Sequence, residues 1–186
     1  MNEALKVIRN RRSIRQYTEK QIGDAELGEV MDVALLAPNA MNMQAWHFTV
    51  IQDKDMLKRM VDITKENLLN SGIDFLAKRA NAPNYNTFYN APTVIMISGN
   101  QKAPFIQIDC GAAALNIALA AESLGIGSCL MTSPSFLFAS PEGEELREDL
   151  RIPEGYSHVC TVALGYEEGE HPATPPRKKD VISYVK

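Results

Sequence analysis

The sequence predicts a single domain that mixes helices with strands, and three observations lead there. Apolar residues recur at helical spacing in some segments, as in Leu27, Val30, Met31, Ala34 and Leu35, and again in Met56, Leu57, Met60, Val61 and Ile63. Other stretches, over 47–52, 93–98 and 157–166, are short, rich in β-branched residues and bounded by turn residues, which is the pattern of strands. Finally, the 186 residues contain no linker, repeat or low-complexity run, so 1–186 reads as one domain around one core. A composition of 45% hydrophobic and 23% charged residues is that of an ordinary globular protein.

Taken in order, the chain opens with a short amphipathic helix over 3–10, with Leu5 and Ile8 on its apolar side. Asp24 is expected to cap a helix running to about 36, and Pro38 ends it because the residue before proline avoids the α region. The stretch 38–46 has no periodicity and carries two Asn, a Gln and the only Trp. Side-chain amides both donate and accept hydrogen bonds, and loops of this kind hold function more often than cores do. The alternative is a polar turn closed by a core Trp. After the strand over 47–52, a helix is expected over 53–69 and a short one around 74–79, followed by an irregular, aromatic loop to 91. Such a loop is either a lid or a surface Ω-loop.

The helix expected over 104–124 is unusual. From Cys110 to Ala121 every residue except Asn116 is small or apolar. A helix apolar all round must be buried all round, and in a chain this size a second subunit covers one face most easily. A homodimer with this helix near its interface is therefore expected. A short extended segment follows over 128–132, and then a helix to about 150 with Ser140 as cap and Pro141 in its first turn. The tail over 167–180 is rich in Pro and charge, and 181–185 reads as a final short strand.

The densest chemistry is Arg11-Arg12-Ser13-Ile14-Arg15, with three guanidiniums and a hydroxyl in a chain of net charge −4. Arginine presents a planar fork of donors suited to phosphate or carboxylate, and its charge is permanent. One local cluster on an acidic chain points to a small anion site. A nucleic-acid surface would need a wider basic face. The alternative is solvated arginines at the negative end of a helix dipole. Neither a P-loop nor a GxGxxG after a strand occurs, and the three histidines have no metal-ligand spacing. Cys110, Cys129 and Cys160 are far apart and in apolar surroundings, as buried thiols of a reducing cytoplasm are. The chain opens on a charged helix with no signal peptide, and its longest apolar run is too short for a membrane span, so a cytoplasmic protein is expected.

Several stretches occur in an order that resembles the FMN-dependent nitroreductase family in its short, bacterial-type form. They are Arg11-Arg12-Ser13-Ile14-Arg15-Gln16-Tyr17; Ala37-Pro38-Asn39-Ala40-Met41-Asn42-Met43-Gln44-Ala45-Trp46; Asn90-Ala91-Pro92; Asp109-Cys110-Gly111-Ala112-Ala113 with Asn116; Leu124-Gly125-Ile126-Gly127-Ser128-Cys129; and Leu164-Gly165-Tyr166 followed by Pro176-Arg177. The resemblance implies an α+β fold with a central, mostly antiparallel sheet flanked by helices. It also implies an intertwined homodimer with FMN at the interface, and a tail from about 167 that packs on the partner. By resemblance, Arg11 and Ser13 contact the FMN phosphate, Arg177 meets it from the tail, and Arg12 lies along the ribityl-phosphate. Arg15 sits near flavin N1 and the C2 carbonyl, where a cation favours the reduced ring. Pro38, Asn39, Ala40 and Asn42 come from the other subunit, with Gln44 helping to hold their loop. Met131, Thr132 and Ser133 run past the flavin edge with a backbone N–H towards N5. Asn116 and Trp46 are structural.

The activity implied is transfer of hydride from NADH or NADPH through flavin N5 to a nitroaromatic, quinone or similar small acceptor. The cycle is ping-pong, without a catalytic side chain, metal, nucleic acid or membrane. The alternatives are flavin destruction, dehalogenation or azoline oxidation on the same fold, or a non-catalytic FMN-binding module. Departures from the family pattern are Ala45 where many members carry Pro, Asn39 where many carry Ser, and Pro175-Pro176 where some carry a second cation before Arg177. The chain is also short between 98 and 109. Phe75, Tyr85, Phe88, Tyr89, Phe105, Phe136 and Phe138 are aromatic candidates for a pocket wall.

Overall fold

The computed structural model describes residues 2–186. Its centre is an antiparallel sheet of β1 (Trp46–Ile51), β2 (Thr93–Asn100), β3 (Gly127–Met131) and β4 (Tyr156–Gly165), in the order β1-β2-β4-β3. The helices are α1 (Glu3–Asn10), α2 (Asp24–Leu35), α3 (Lys54–Leu69), α4 (Asp74–Ala80), α5 (Ile106–Ser123) and α6 (Pro141–Asp149). Single 3-10 segments lie at Ala40–Asn42 and Ser133–Ala139.

Successive side chains of a strand point to opposite faces, and both faces here are covered. Val94 and Met96 of β2 pack against Met60, Ile63, Leu137 and Leu146 on one side. Ile95 and Ile97 meet Ala113, Ala114, Ile117 and the α2 residues Val30 and Ala34 on the other. Double coverage is why β2 reads as a continuous apolar run.

Local chemistry sets the helix ends. Asp53 caps α3 by accepting from the Met56 N–H at 2.7 Å, and Ser140 caps α6 by accepting from the Gly143 N–H at 3.4 Å. One cap falls a residue earlier than expected. Gly23 precedes α2, and the Glu26 carboxylate accepts from its N–H at 3.1 Å, so Asp24 is the first helical residue, where its charge still favours the helix dipole. The strand expected over 181–185 does not form. Among the described residues no strand pairs with it, and Val181, Ile182, Tyr184 and Val185 are left in solvent. Cys110, Cys129 and Cys160 are buried free thiols.

α5 packs Cys110, Ala113, Ala114, Ile117 and Ala121 inward and leaves a second apolar face open, with Ile108 72% and Leu115 50% exposed. Asn116 ties the helix to α2, donating to the Val33 carbonyl at 3.0 Å. Trp46 is in the core.

One polar group in the core responds to pH. His158 of β4 faces Ser98 of β2 at a register shift. Its Nε2 shares a hydrogen bond with Thr161 Oγ1 at 2.8 Å, while Nδ1 and Ser98 Oγ are buried without partners among the described residues. Burial pushes the His158 pKa down from 6.5 to about 4. The folded chain therefore holds it neutral, while the unfolded chain takes up a proton as pH falls below 6.5. Stability is complete above that value and falls by about 3 kcal/mol as pH drops to about 4. Denaturant midpoints measured from pH 7 to 4 are expected to show this slope, and His158→Gln is expected to flatten it.

Candidate active site

The arginine cluster is held on the sheet's β3 edge. Directly after α1, Ser13 pairs in parallel with Ser128, and the Ile14 N–H donates to the Ser128 carbonyl at 2.9 Å. Tyr17 bridges to Glu167, and the Thr18 N–H donates to the Tyr166 carbonyl at 2.9 Å. Ile14 and Tyr17 are buried, with the Tyr17 hydroxyl donating to the Ile14 carbonyl at 2.7 Å. Two glycines allow this approach: a Cβ at Gly127 would lie 2.9 Å from Ile14, and one at Gly165 2.7 Å from Pro92 and 2.9 Å from Tyr17. With Ile14 and Tyr17 inward, Arg11 and Ser13 stay half-buried and Arg15 is exposed.

The arginines are used differently. Arg12 turns back, and its Nη1 donates to the carbonyls of Arg9, Asn10 and Arg11 at 2.8, 2.9 and 2.8 Å. Its Nε donates to Pro172 O at 3.1 Å, and Nη2 reaches Thr174 Oγ1. Its fork closes the C-terminus of α1 and clips the tail to it. Arg11 and Arg15 have no acidic partner among the described residues. Arg15 lies over the Tyr89 ring, 5.7 Å from its centroid, and its contact with Tyr89 raises its pKa further. Burial pushes the Cys129 thiol up, and the charges of Arg15, Arg11 and Arg79 push it partly back. Arg79 comes from the last turn of α4 and donates to the Tyr89 hydroxyl at 3.2 Å.

The tail begins on the same chain. Glu168 N–H donates to Gln16 O at 3.1 Å. His171 sets Nδ1 2.8 Å from Glu167 and Nε2 3.0 Å from Asn10 O, an arrangement that only the imidazolium satisfies on both sides, and both contacts raise its pKa. A cavity of about 250 Å³ lies beside Ser13 and Arg15, with Glu167, Glu168, Glu170 and Pro172 in its wall. Arg177 is exposed, with one bond to Pro175 O at 3.3 Å, and stands three residues beyond the clipped Thr174, within about 10 Å of chain.

The amide loop is well built but far from the cluster. Asn39 Oδ1 accepts from the Gln44 N–H at 2.9 Å, and Gln44 Nε2 donates to Asn42 Oδ1 at 3.4 Å. The Ala40 N–H donates at 3.1 Å to Asp109, buried in the first turn of α5. Met41, Asn42 and Gln44 hold left-handed backbone, with φ of 53, 52 and 47°. Pro38 and Met41 to Gln44 are exposed. This loop meets the sheet at Trp46, opposite Gly99, on the β1 edge. The cluster meets it at Ser128 on the β3 edge, beside the C-terminal end of α5. Along α5, Asp109 at the loop and Glu122 at the cluster are about 20 Å apart at 1.5 Å per residue. Within one chain the structure thus brings together Arg11, Ser13, Arg15 and the tail leading to Arg177, and leaves Pro38, Asn39, Ala40, Asn42 and Gln44 apart. Met131 is buried at the end of β3, and Thr132 and Ser133 follow it into the 3-10 segment.

Sequence reading passed over Arg79, which looks like any basic residue in a last helical turn, and treated Tyr89 only as one of seven aromatics. Of the others, Phe88 is core, whereas Phe75 and Phe105 are exposed.

Known proteins match this architecture along its length. The family model described as the nitroreductase family matches residues 8–166. A protein of Archaeoglobus fulgidus, provisionally named NADH dehydrogenase/NAD(P)H nitroreductase, is 37% identical over 91% of this chain and 88% of its own. A nitroreductase of Bacteroides fragilis solved with bound FMN superposes with a TM-score of 0.94 at 32% identity, covering 100% of both chains. A second FMN-bound nitroreductase, from Desulfitobacterium hafniense, gives 0.89 at 34% identity, again over 100% of both. With its antiparallel sheet, its edge-bound arginine segment and these matches, the chain belongs to the nitroreductase family.

Proposed function

We propose that the chain is an FMN-dependent, NAD(P)H-linked oxidoreductase that works as a homodimer in the cytoplasm. The observation that carries this reading is the set of donors at the β3 edge. In a chain of net charge −4, Arg11, Ser13 and Arg15 are fixed side by side on a wall of buried residues, and neither guanidinium has a carboxylate partner among the described residues. A half-buried guanidinium without a counter-charge, with a hydroxyl and an exposed second guanidinium along the same segment, fits a phosphate-bearing ligand.

Arg11 and Ser13 would hold the phosphate, with Arg177 closing from the tail, and Arg15 would lie at the pyrimidine side of the ring. Arg12 would anchor the tail and not touch the cofactor. The loop of Pro38, Asn39, Ala40, Asn42 and Gln44 would come from the second subunit, since it cannot reach the cluster of its own chain. The open face of α5, with Ile108 and Leu115, would be covered by that subunit. Met131 to Ser133 would pass the ring edge. When bound, FMN would supply transfer of hydride from a nicotinamide to a nitroaromatic, a quinone or a similar acceptor, in ping-pong order. The protein would supply position, charge and shelter from water.

Purified protein mixed with excess FMN and desalted is expected to keep about one FMN per chain. It is then expected to oxidise NADH or NADPH when a nitroaromatic or a quinone is added. A chain that retains no flavin would end this reading. One that binds flavin but is not reduced by either nicotinamide would leave a binding module.

A further inference from the structure

We infer that Arg79 and Tyr89 belong to the same site. They fix the guanidinium of Arg15 and set a second positive charge beside it, so that the chain holds reduced flavin more tightly than oxidised flavin. The inference rests on the flavin reading above and adds residues that reading does not use.

The geometry is a pair of contacts that joins the arginine segment through Tyr89 to α4. Arg15 lies over the face of Tyr89, at 5.7 Å. The phenol oxygen of Tyr89 accepts from Arg79 at 3.2 Å. The charges of Arg15, Arg11 and Arg79 all act to lower the Cys129 thiol against the effect of its burial. Tyr89 and the next residue, Asn90, have φ of 57 and 59°, a left-handed pair that side chains other than glycine adopt only when their surroundings require it. Those surroundings are explicit. Asn86 Oδ1 accepts from the Phe88 N–H, Asn86 Nδ2 donates to Asn90 Oδ1, both at 2.8 Å, and Asn86 O accepts from the Tyr89 N–H at 3.1 Å. The turn is thus built to aim one ring between two guanidiniums.

Two like charges against one neutral phenol repel each other, and neither has an ion-pair partner among the described residues. The FMN phosphate carries its charge in both redox states and has Arg11 and Ser13. What Arg15 and Arg79 can answer is negative charge that arises only on reduction of the ring. A fixed cation pair beside that position stabilises the reduced ligand and leaves the oxidised one almost unaffected.

The test is the dissociation constant of FMN, measured for both redox states in the wild type, Arg79→Gln, Arg79→Lys, Tyr89→Phe and Tyr89→Leu. Arg79→Gln is expected to weaken reduced FMN about 10-fold more than oxidised FMN, which appears as a midpoint potential about 30 mV lower. Arg79→Lys keeps the charge and is expected to restore most of the ratio. Tyr89→Phe keeps the ring under Arg15 but loses the Arg79 bond, and is expected to fall between wild type and Tyr89→Leu. If the wild type binds FMN and every variant keeps the ratio within about twofold, the inference is wrong, even where both affinities drop together. If the wild type binds no FMN, the proposed function fails, and this inference with it.

Discussion

Arg11→Ala is expected to raise the FMN dissociation constant about 10- to 100-fold and to leave the folded chain intact. The magnitude is that of losing a hydrogen bond to a charged group at a partly buried site, about 1.5–3 kcal/mol. The fold is spared because the Arg11 backbone N–H still caps α1 through Val7 O at 2.9 Å, and its side chain is in no ion pair among the described residues. Ser13→Ala removes a neutral donor and is expected to cost only a few-fold. Riboflavin, which lacks the phosphate, separates a local effect from a general one: its weaker binding should be the same in wild type and Arg11→Ala. Equal losses for FMN and riboflavin would show that Arg11 does not meet the phosphate.

Phe88→Ala is expected to be the most destabilising single change, at about 3–5 kcal/mol, or roughly 10 °C in melting temperature. Phe88 is 2% exposed in the core layer of Met60, Val94 and Leu137, and it is what anchors the irregular segment after α4. Its neighbour Tyr89 is held to Arg79 and Arg15, so loosening Phe88 should also weaken FMN binding. A variant with an unchanged melting temperature would mean that this segment is held by its own hydrogen bonds alone. Phe75→Ala, at an exposed position, provides the contrast and should change stability by less than about 0.5 kcal/mol.

Much of the fold was legible in the sequence because it is written in short-range terms. Periodicity, β-branched runs and helix stop signals located the six helices and four strands of the described residues to within a residue or two, and Asp53 and Ser140 announced the caps they form. The stretch from Cys110 to Ala121 announced a helix with more apolar surface than one chain covers, and the structure leaves Ile108 and Leu115 bare on it. The final strand over 181–185 failed for the complementary reason. An alternating apolar pattern is a strand only where an edge pairs with it, and among the described residues 181–185 pairs with none of the four strands and stays in solvent.

The sequence by itself determined where the cationic donors lie, that they form one local cluster in an acidic chain, and which elements surround them. Only the tertiary structure decided what each donor does. Arg11, Arg12 and Arg15 are chemically identical and nearly adjacent, yet one has no ion-pair partner among the described residues, one is consumed by the carbonyls ending α1 and by the tail, and one rests on Tyr89. Arg79 joins them through Tyr89 from more than sixty residues away, while the amide loop stays at the other end of α5. Periodicity encodes which side of an element faces inward. Which side chains then meet depends on how the elements pack, and for a charged group that meeting decides whether its donors are free for a ligand.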